Sequence, residues 1–197
     1  MKPKITIITP FLNAENFVDE YINMLKKQTF KDWICFLIDD GSIDLSFIKI
    51  KKIIQNDPRF ILKKGLYKKI TNGPSEARNF ALKFVKTDLV AFCDIDDLWN
   101  SKKLEKQIKF HTTKNLDLSV TSYSKFRDKD IKPINFIIRP PKVITYKKLL
   151  RENYIPMLTV IIKTEYIKDG FPLVKHEDYA LWLNVFKNKR NIRAESL

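Results

Sequence analysis

Trp33-Ile34-Cys35-Phe36-Leu37-Ile38, followed at once by Asp39-Asp40-Gly41-Ser42, decides how this chain is read. A nearly unbroken apolar run rich in aromatic and branched residues is what a strand buried on both faces requires, and the acidic turn that stops it puts carboxylates at the strand's carboxyl end. Upstream, residues 16–27 place Phe17, Tyr21, Met24 and Leu25 at helical spacing, and residues 5–9 are a β-branched run closed by Pro10. Downstream, residues 45–55 carry a helical period and residues 60–62 are a third short strand. After Asn72-Gly73-Pro74, Ser75 is the expected N-cap of a helix through Val85, with Ala77, Ala81, Leu82 and Val85 on its apolar face. Residues 89–93 are a fourth strand. Apolar strands alternating with amphipathic helices predict a doubly wound α/β fold, a mostly parallel twisted sheet with helices on both faces.

The second half is less regular. It predicts a helix over 101–112, a strand over 118–123, a basic, proline-containing loop over 125–142, a strand over 159–162, a turn at Gly170-Phe171-Pro172 and a helix over 177–186. No repeat, linker or low-complexity segment interrupts it. The 197 residues suit a single domain.

With 44% hydrophobic and 30% charged residues the chain is an ordinary globular one, not a disordered or cysteine-stapled one. Lys and Arg number 37 against 23 Asp and Glu, a net charge of +14 that draws anions of any kind: nucleic acid, acidic lipid headgroups or phosphorylated small molecules. Cys35 and Cys93 sit inside apolar runs and read as buried thiols. Met1-Lys2-Pro3-Lys4 leads straight into the first strand without a secretory pattern, and no apolar run nears the ~20 residues of a spanning helix. The expected location is the cytoplasm, peripheral to the inner face of the membrane.

Ligands of open α/β sheets bind beyond the carboxyl ends of the strands. Strand one ends in Thr9-Pro10-Phe11-Leu12-Asn13, strand two in Asp39-Asp40-Gly41-Ser42 and strand four in Asp94-Ile95-Asp96-Asp97, so acids gather at one predicted edge of an otherwise basic chain. Clustered carboxylates repel unless a cation or hydrogen-bond donors compensate them. A hard divalent cation, Mg²⁺ or Mn²⁺, suits oxygen ligands and completes its shell with phosphate and water, so the edge predicts a phosphorylated ligand. Read singly, each acidic stretch is equally a turn or a helix cap; their recurrence at successive strand ends argues for a site.

These segments, together with Asn72-Gly73, Ala77-Arg78-Asn79, Asp94-Ile95-Asp96-Asp97-Leu98-Trp99 and Glu177-Asp178-Tyr179-Ala180-Leu181-Trp182, resemble the inverting glycosyltransferases of family 2, with the GT-A fold, as found in bacterial surface polysaccharide and lipooligosaccharide synthesis. The resemblance runs from about Ile5 to Phe186 with the motifs in the family's order. It implies transfer of a sugar from a nucleotide-sugar donor, with a UDP-sugar favoured, to a glycan or lipid-linked acceptor. It also implies that about 1–100 is the nucleotide-sugar-binding half of the domain and about 101–197 a smaller acceptor-side half. Pro10 would line the base pocket, Asp40 would accept from the nucleobase, Asp39 would support that loop, and Gly73 would let the backbone approach the nucleotide. Arg78 would face the donor phosphates or steady the acidic edge, Asp94 would lie near ribose or diphosphate, and Asp96 would hold Mn²⁺ or Mg²⁺. Glu177 and Asp178 would be the catalytic acid pair, Asp178 the base. Trp182 reads as core, His176 as structural, and Asp97 as a cap.

The resemblance also leads to an expectation of further acceptor-side residues after Leu197. Sugar nucleotidyltransferases and dinucleotide oxidoreductases are disfavoured because Pro10-Phe11-Leu12-Asn13 lacks the glycines of a phosphate loop. Two rivals remain at this stage: a nucleotide-binding but catalytically incomplete relative, and a basic nucleic-acid module, against which the acidic edge argues. The basic surface is read as a docking face for anionic membrane, with no specific nucleic acid as partner.

Overall fold

Successive side chains of a strand point to opposite faces of its sheet, and in this protein both sets are apolar. The computed structural model describes residues 4–65, 74–126, 133–188 and 192–197. In β1 (Ile5–Phe11) and β2 (Trp33–Asp39), Ile5, Ile7, Cys35 and Leu37 enter one core while Ile8, Phe36 and Ile38 enter another. The same alternation separates Leu89 and Ala91 from Val90 and Phe92 in β4 (Leu89–Phe92). The first core is closed by α1 (Val18–Lys26), α2 (Ser46–Ile54) and α4 (Lys103–Thr113), the second by α3 (Ser75–Leu82), the short α5 (Tyr146–Leu149) and α6 (Glu177–Asn188).

The seven-stranded sheet has the order β3-β2-β1-β4-β8-β5-β9, with β3 at Phe60–Lys64, β5 at Leu118–Val120, β8 at Ile161–Lys163 and β9 at Ala194–Ser196. β3, β2, β1 and β4 run parallel; β8 alone is antiparallel to both its neighbours, and β5 pairs with β9 in parallel. The expected mostly parallel α/β sheet covered on both faces is what forms. The order reverses beside β1, the innermost strand of the parallel half, and that is where an open α/β sheet makes its crevice.

Three expectations need correction. The region 125–142 is not simply a loop: β6 (Tyr123–Phe126) and β7 (Pro133–Ile138) form a two-stranded antiparallel ribbon outside the main sheet. The strand expected over 118–123 therefore splits, its start pairing with β8 and its end with β7. Lysine and proline masked the alternation that a ribbon edge needs. At α3, Pro74 holds the N-cap position and Ser75 is the first helical residue, its hydroxyl donating to the Pro172 carbonyl at 3.4 Å. Proline is well suited to a helix start because it has no N–H to leave unsatisfied. β9 gave no sequence signal, being three residues long.

Cys35 and Cys93 are free and buried, as expected. Burial pushes the Cys35 thiol up to about 12, which keeps it protonated and unreactive. Trp182 is fully buried and donates from Nε1 to the Ile155 carbonyl at 2.8 Å, a core residue as its apolar helix face implied.

Candidate functional site

The loops after β1, β2 and β4 enclose a cavity of about 330 Å³ lined by Pro10, Leu12, Phe17, Asp40, Asp94 and Asp96, among others. Four residues singled out from the sequence thus meet in one place. The loops are locked to each other by side chains. Asn13, at φ 49°, accepts from the Ile43 N–H through Oδ1 at 2.9 Å, while its own N–H donates to Ser42 Oγ at 3.0 Å. The left-handed backbone at this position suits asparagine, whose short amide bonds locally. Glu15 N–H donates to Asp44 Oδ2, and Ala14 N–H to Ser46 Oγ, so the β2 loop is fixed along its length.

Asp39 is buried beneath that loop and accepts the Ser42 N–H at 2.9 Å, while Gly41 takes φ 102° to let the turn close. Asp39 is therefore structural support for Asp40. Burial, then Glu76, then Asp39, raise the Asp40 carboxyl above the usual carboxylate range. Asp97 is pushed up to about 7, by burial first and by Asp94 and Asp96 next. Both shifts have one cause, negative charge concentrated in a partly dry place.

Arg78 is the cation that answers it. Its side chain is almost wholly buried, donating from Nη2 to Asp94 Oδ1 at 2.7 Å and from Nη1 to Glu177 Oε1 at 2.8 Å. The guanidinium also lies 5.5 Å from the centre of the Phe171 ring. Arg78 thus bonds the acidic edge through Asp94 and reaches across to the start of α6. Its neighbour Asn79 holds the opposite strand of chain, accepting the Phe171 N–H at 2.6 Å and donating to the Phe171 carbonyl at 2.9 Å. Gly170 sits at φ 79°, and a Cβ there would come within 2.6 Å of Asn79 Oδ1. α3 thus pins the loop that leads into α6.

Glu177 and Asp178 open α6, but Asp178 does not line the cavity; its Oδ2 accepts from Asn153 Nδ2 at 3.0 Å. Asn153 is in turn fixed by the Ile155 N–H at 3.0 Å. Nothing in the sequence marks Asn153. Asn79 belonged to a recognisable motif without an assigned role. His176 precedes the helix at φ 58° with its side chain exposed, and Gly73 lies outside the described residues.

Asp96 projects an exposed carboxylate beside Asp94. Among the described residues no group of three or more His, Cys, Asp or Glu side chains could hold a metal unaided. A cation would therefore take one or two carboxylates here and the rest of its shell from ligand and water, which is the habit of magnesium-like sites. A larger cavity of about 740 Å³ lies at the amino-terminal edge of the sheet, bordered by Lys4, Thr87 and His111, and contains none of the predicted residues.

A mostly parallel α/β sheet with acids at the ends of two of its parallel strands, β2 and β4, joined by a buried arginine to Glu177 at the start of α6, defines a GT-A transferase architecture. The glycosyl transferase family 2 profile matches residues 6–162, and the chain belongs to that family. It is 35% identical over 191 residues to UDP-Glc:alpha-D-GlcNAc-diphosphoundecaprenol beta-1,3-glucosyltransferase WfgD of Escherichia coli, covering 96% of this chain and 72% of that protein. It is 31% identical over 188 residues to the putative teichuronic acid biosynthesis glycosyltransferase TuaG of Bacillus subtilis, covering 94% of this chain and 73% of the other. Among solved structures, S. aureus TarS 1–349 in complex with UDP superposes with a TM-score of 0.78 at 25% identity, over 100% of this chain and 58% of that one. The chain thus spans just over half of the crystallised relative.

Proposed function

We propose that this protein transfers a sugar from a UDP-sugar to a hydroxyl of a lipid-linked glycan acceptor, with inversion at the anomeric carbon. The observation that carries this reading is the meeting of Pro10, Asp40, Asp94 and Asp96 in one cavity, tied through Arg78 to Glu177 and the start of α6. UDP is bound by TarS, and the Escherichia coli relative is named for a UDP-glucose donor and a diphosphoundecaprenol acceptor. Both support the donor and acceptor classes assigned here.

In this reading Pro10 and Asp40 receive the base, with Asp40 accepting from the uracil imide N–H in a charge-assisted bond. Asp39 holds Asp40 in place from below. Asp94 lies at the ribose and diphosphate, its direction set by Arg78. Asp96 is the residue that would hold Mn²⁺ or Mg²⁺, whose chemistry when bound is neutralisation of charge on the departing diphosphate. Asp178, aimed by Asn153, takes the acceptor hydroxyl's proton as that oxygen attacks from the face opposite the leaving group. Glu177 keeps the start of α6 against Arg78.

The net charge of +14 supports peripheral contact with anionic membrane, and among the described residues no helix is long and apolar enough to cross one. Liposome flotation with and without anionic lipid checks this contact, and equal recovery in both rules it out.

The site reading is tested by thermal unfolding with UDP, GDP, CMP and dTDP, each with and without Mn²⁺, on the wild type and Asp96→Asn. A ligand at about 100 times its Kd adds roughly 2.7 kcal/mol, a readable shift. Selective, Mn²⁺-dependent stabilisation by UDP that Asp96→Asn abolishes is the expected result. Absence of a shift with every nucleotide sinks the reading.

A further inference from the structure

Beyond Asp97 the loop that leaves the donor cavity borders a second cleft of about 480 Å³, formed between the start of α4 and the β6–β7 ribbon. Lys102 at the N-cap of α4 and Lys103 and Lys106 within it line the cleft on one side, Tyr123 and Phe126 from β6 on the other, and Trp99 from the loop before α4. Asp97 is the one acidic side chain among its described lining residues. No ion pair among the described residues joins any of the three lysines to a carboxylate.

Positive charge at a helix N-terminus opposes the helix dipole, so these lysines cost stability where they stand. The backbone there is already satisfied: Lys102 N–H donates to Asn100 Oδ1 at 3.0 Å and Leu104 N–H to Gln28 Oε1 at 3.2 Å. Attraction for an anion therefore comes from the side chains. Lys103 is the most enclosed, its Nζ donating to Gln107 Oε1 at 2.8 Å and lying 4.0 Å from the centre of the Trp99 ring. Burial lowers this ammonium to about 7, and a bound anion restores its charge.

We infer that this cleft seats an acceptor's diphosphate, with the hydrocarbon chain attached to that phosphate running along the aromatic residues of the ribbon. The inference deepens the transferase reading and rests on it for the reaction, but not for the binding. The mixture of lysines with Tyr123, Phe126 and Trp99 fits a phosphorylated amphiphile better than a free phosphate, which needs no apolar wall. Two chain connections carry the cleft to the chemistry. Asp97 adjoins Asp96 on the donor side, and Trp99 Nε1 donates to the Leu158 carbonyl at 2.9 Å in the segment whose Asn153 aims Asp178. On the ribbon, Phe136 lies two residues before Ile138, the partner of Tyr123, so it shares the face of Tyr123, and at 69% exposure it is an apolar continuation for the chain.

The test is titration of undecyl diphosphate, below its micellar concentration and in excess UDP and Mn²⁺, read by tryptophan emission. Trp99 is buried at 6% exposure but borders the cleft, whereas Trp33 and Trp182, at 1% and 0%, do not. Lys102→Glu/Lys106→Glu is expected to weaken binding by about tenfold or more, while Lys51→Glu/Lys52→Glu, the same charge change on α2, is expected to leave it within about twofold. Undecyl maltoside and inorganic diphosphate are each expected to bind more weakly than undecyl diphosphate. Equal losses in the two double variants, or no saturable binding, overturn the cleft; inorganic diphosphate binding as tightly as the undecyl ester overturns the amphiphile. Failure of the donor reading shows separately, as a missing UDP and Mn²⁺ melting shift with undecyl diphosphate binding intact.

Discussion

Replacing Arg78 with methionine keeps most of the buried side-chain volume but removes the charge between Asp94 and Glu177, leaving two carboxylates without the cation that joins them. Breaking such a buried pair costs roughly 3 kcal/mol, so Arg78→Met is expected to lower the urea midpoint clearly. Lysine offers one ammonium where two separate guanidinium nitrogens are used, and Arg78→Lys is expected to recover less than half of the loss. Asp178→Asn belongs to the same scale with a different signature. As the proton acceptor in the proposed reaction it is expected to cut turnover by about a thousandfold while leaving the UDP-dependent melting shift in place. A comparable loss of both would make Asp178 a structural residue. At this scale the sequence was readable wherever residue type and strand-end position coincided, as for Pro10, Asp40, Asp94 and Asp96. Arg78 was readable as a motif member but not as a bridge, because its partners are 16 and 99 residues away. Asn153 was not readable at all, since an asparagine after a charged helix end is common and its function depends on a contact 25 residues on.

Elements built from long apolar runs were legible because burial on both faces leaves no other periodicity to choose; β1, β2 and β4 follow directly from their composition. The β6–β7 ribbon was not, since it pairs outside the main sheet and the basic residues around it imitate a loop. The loop between β8 and α6 shows how α3 acts as an element and not only as a carrier of Arg78. Gly170 holds a left-handed backbone against Asn79, so Gly170→Ala combines an unfavourable φ with a Cβ placed 2.6 Å from Asn79 Oδ1. The expected outcome is a loss of roughly 1–3 kcal/mol together with weakened protection of the α6 amides in hydrogen exchange. Unchanged exchange in α6 would separate the loop from the helix it leads into.

For the molecule as a whole, His111 supplies a pH-dependent term. It is buried, bonded through Nδ1 to Ser119 Oγ at 3.0 Å, and burial followed by Lys163 lowers it to about 4. The unfolded chain binds this proton near pH 6.5 and the folded chain only near 4, so stability is lost as pH falls through that window. His111→Asn is expected to flatten the decline between about pH 6.5 and 4 relative to the wild type, measured as the difference between the two chemical-unfolding profiles. One guanidinium grips Asp94 after β4 and Glu177 at the start of α6, so whatever competes for Asp94 changes the hold on Glu177. Binding free energies coupled in this way are reciprocal: if donor tightens acceptor, acceptor tightens donor by the same factor. The expected behaviour is that UDP and the acceptor each lower the other's Kd by the same factor, and Arg78→Met is expected to bring that factor towards one, measured by titrating each ligand with and without the other.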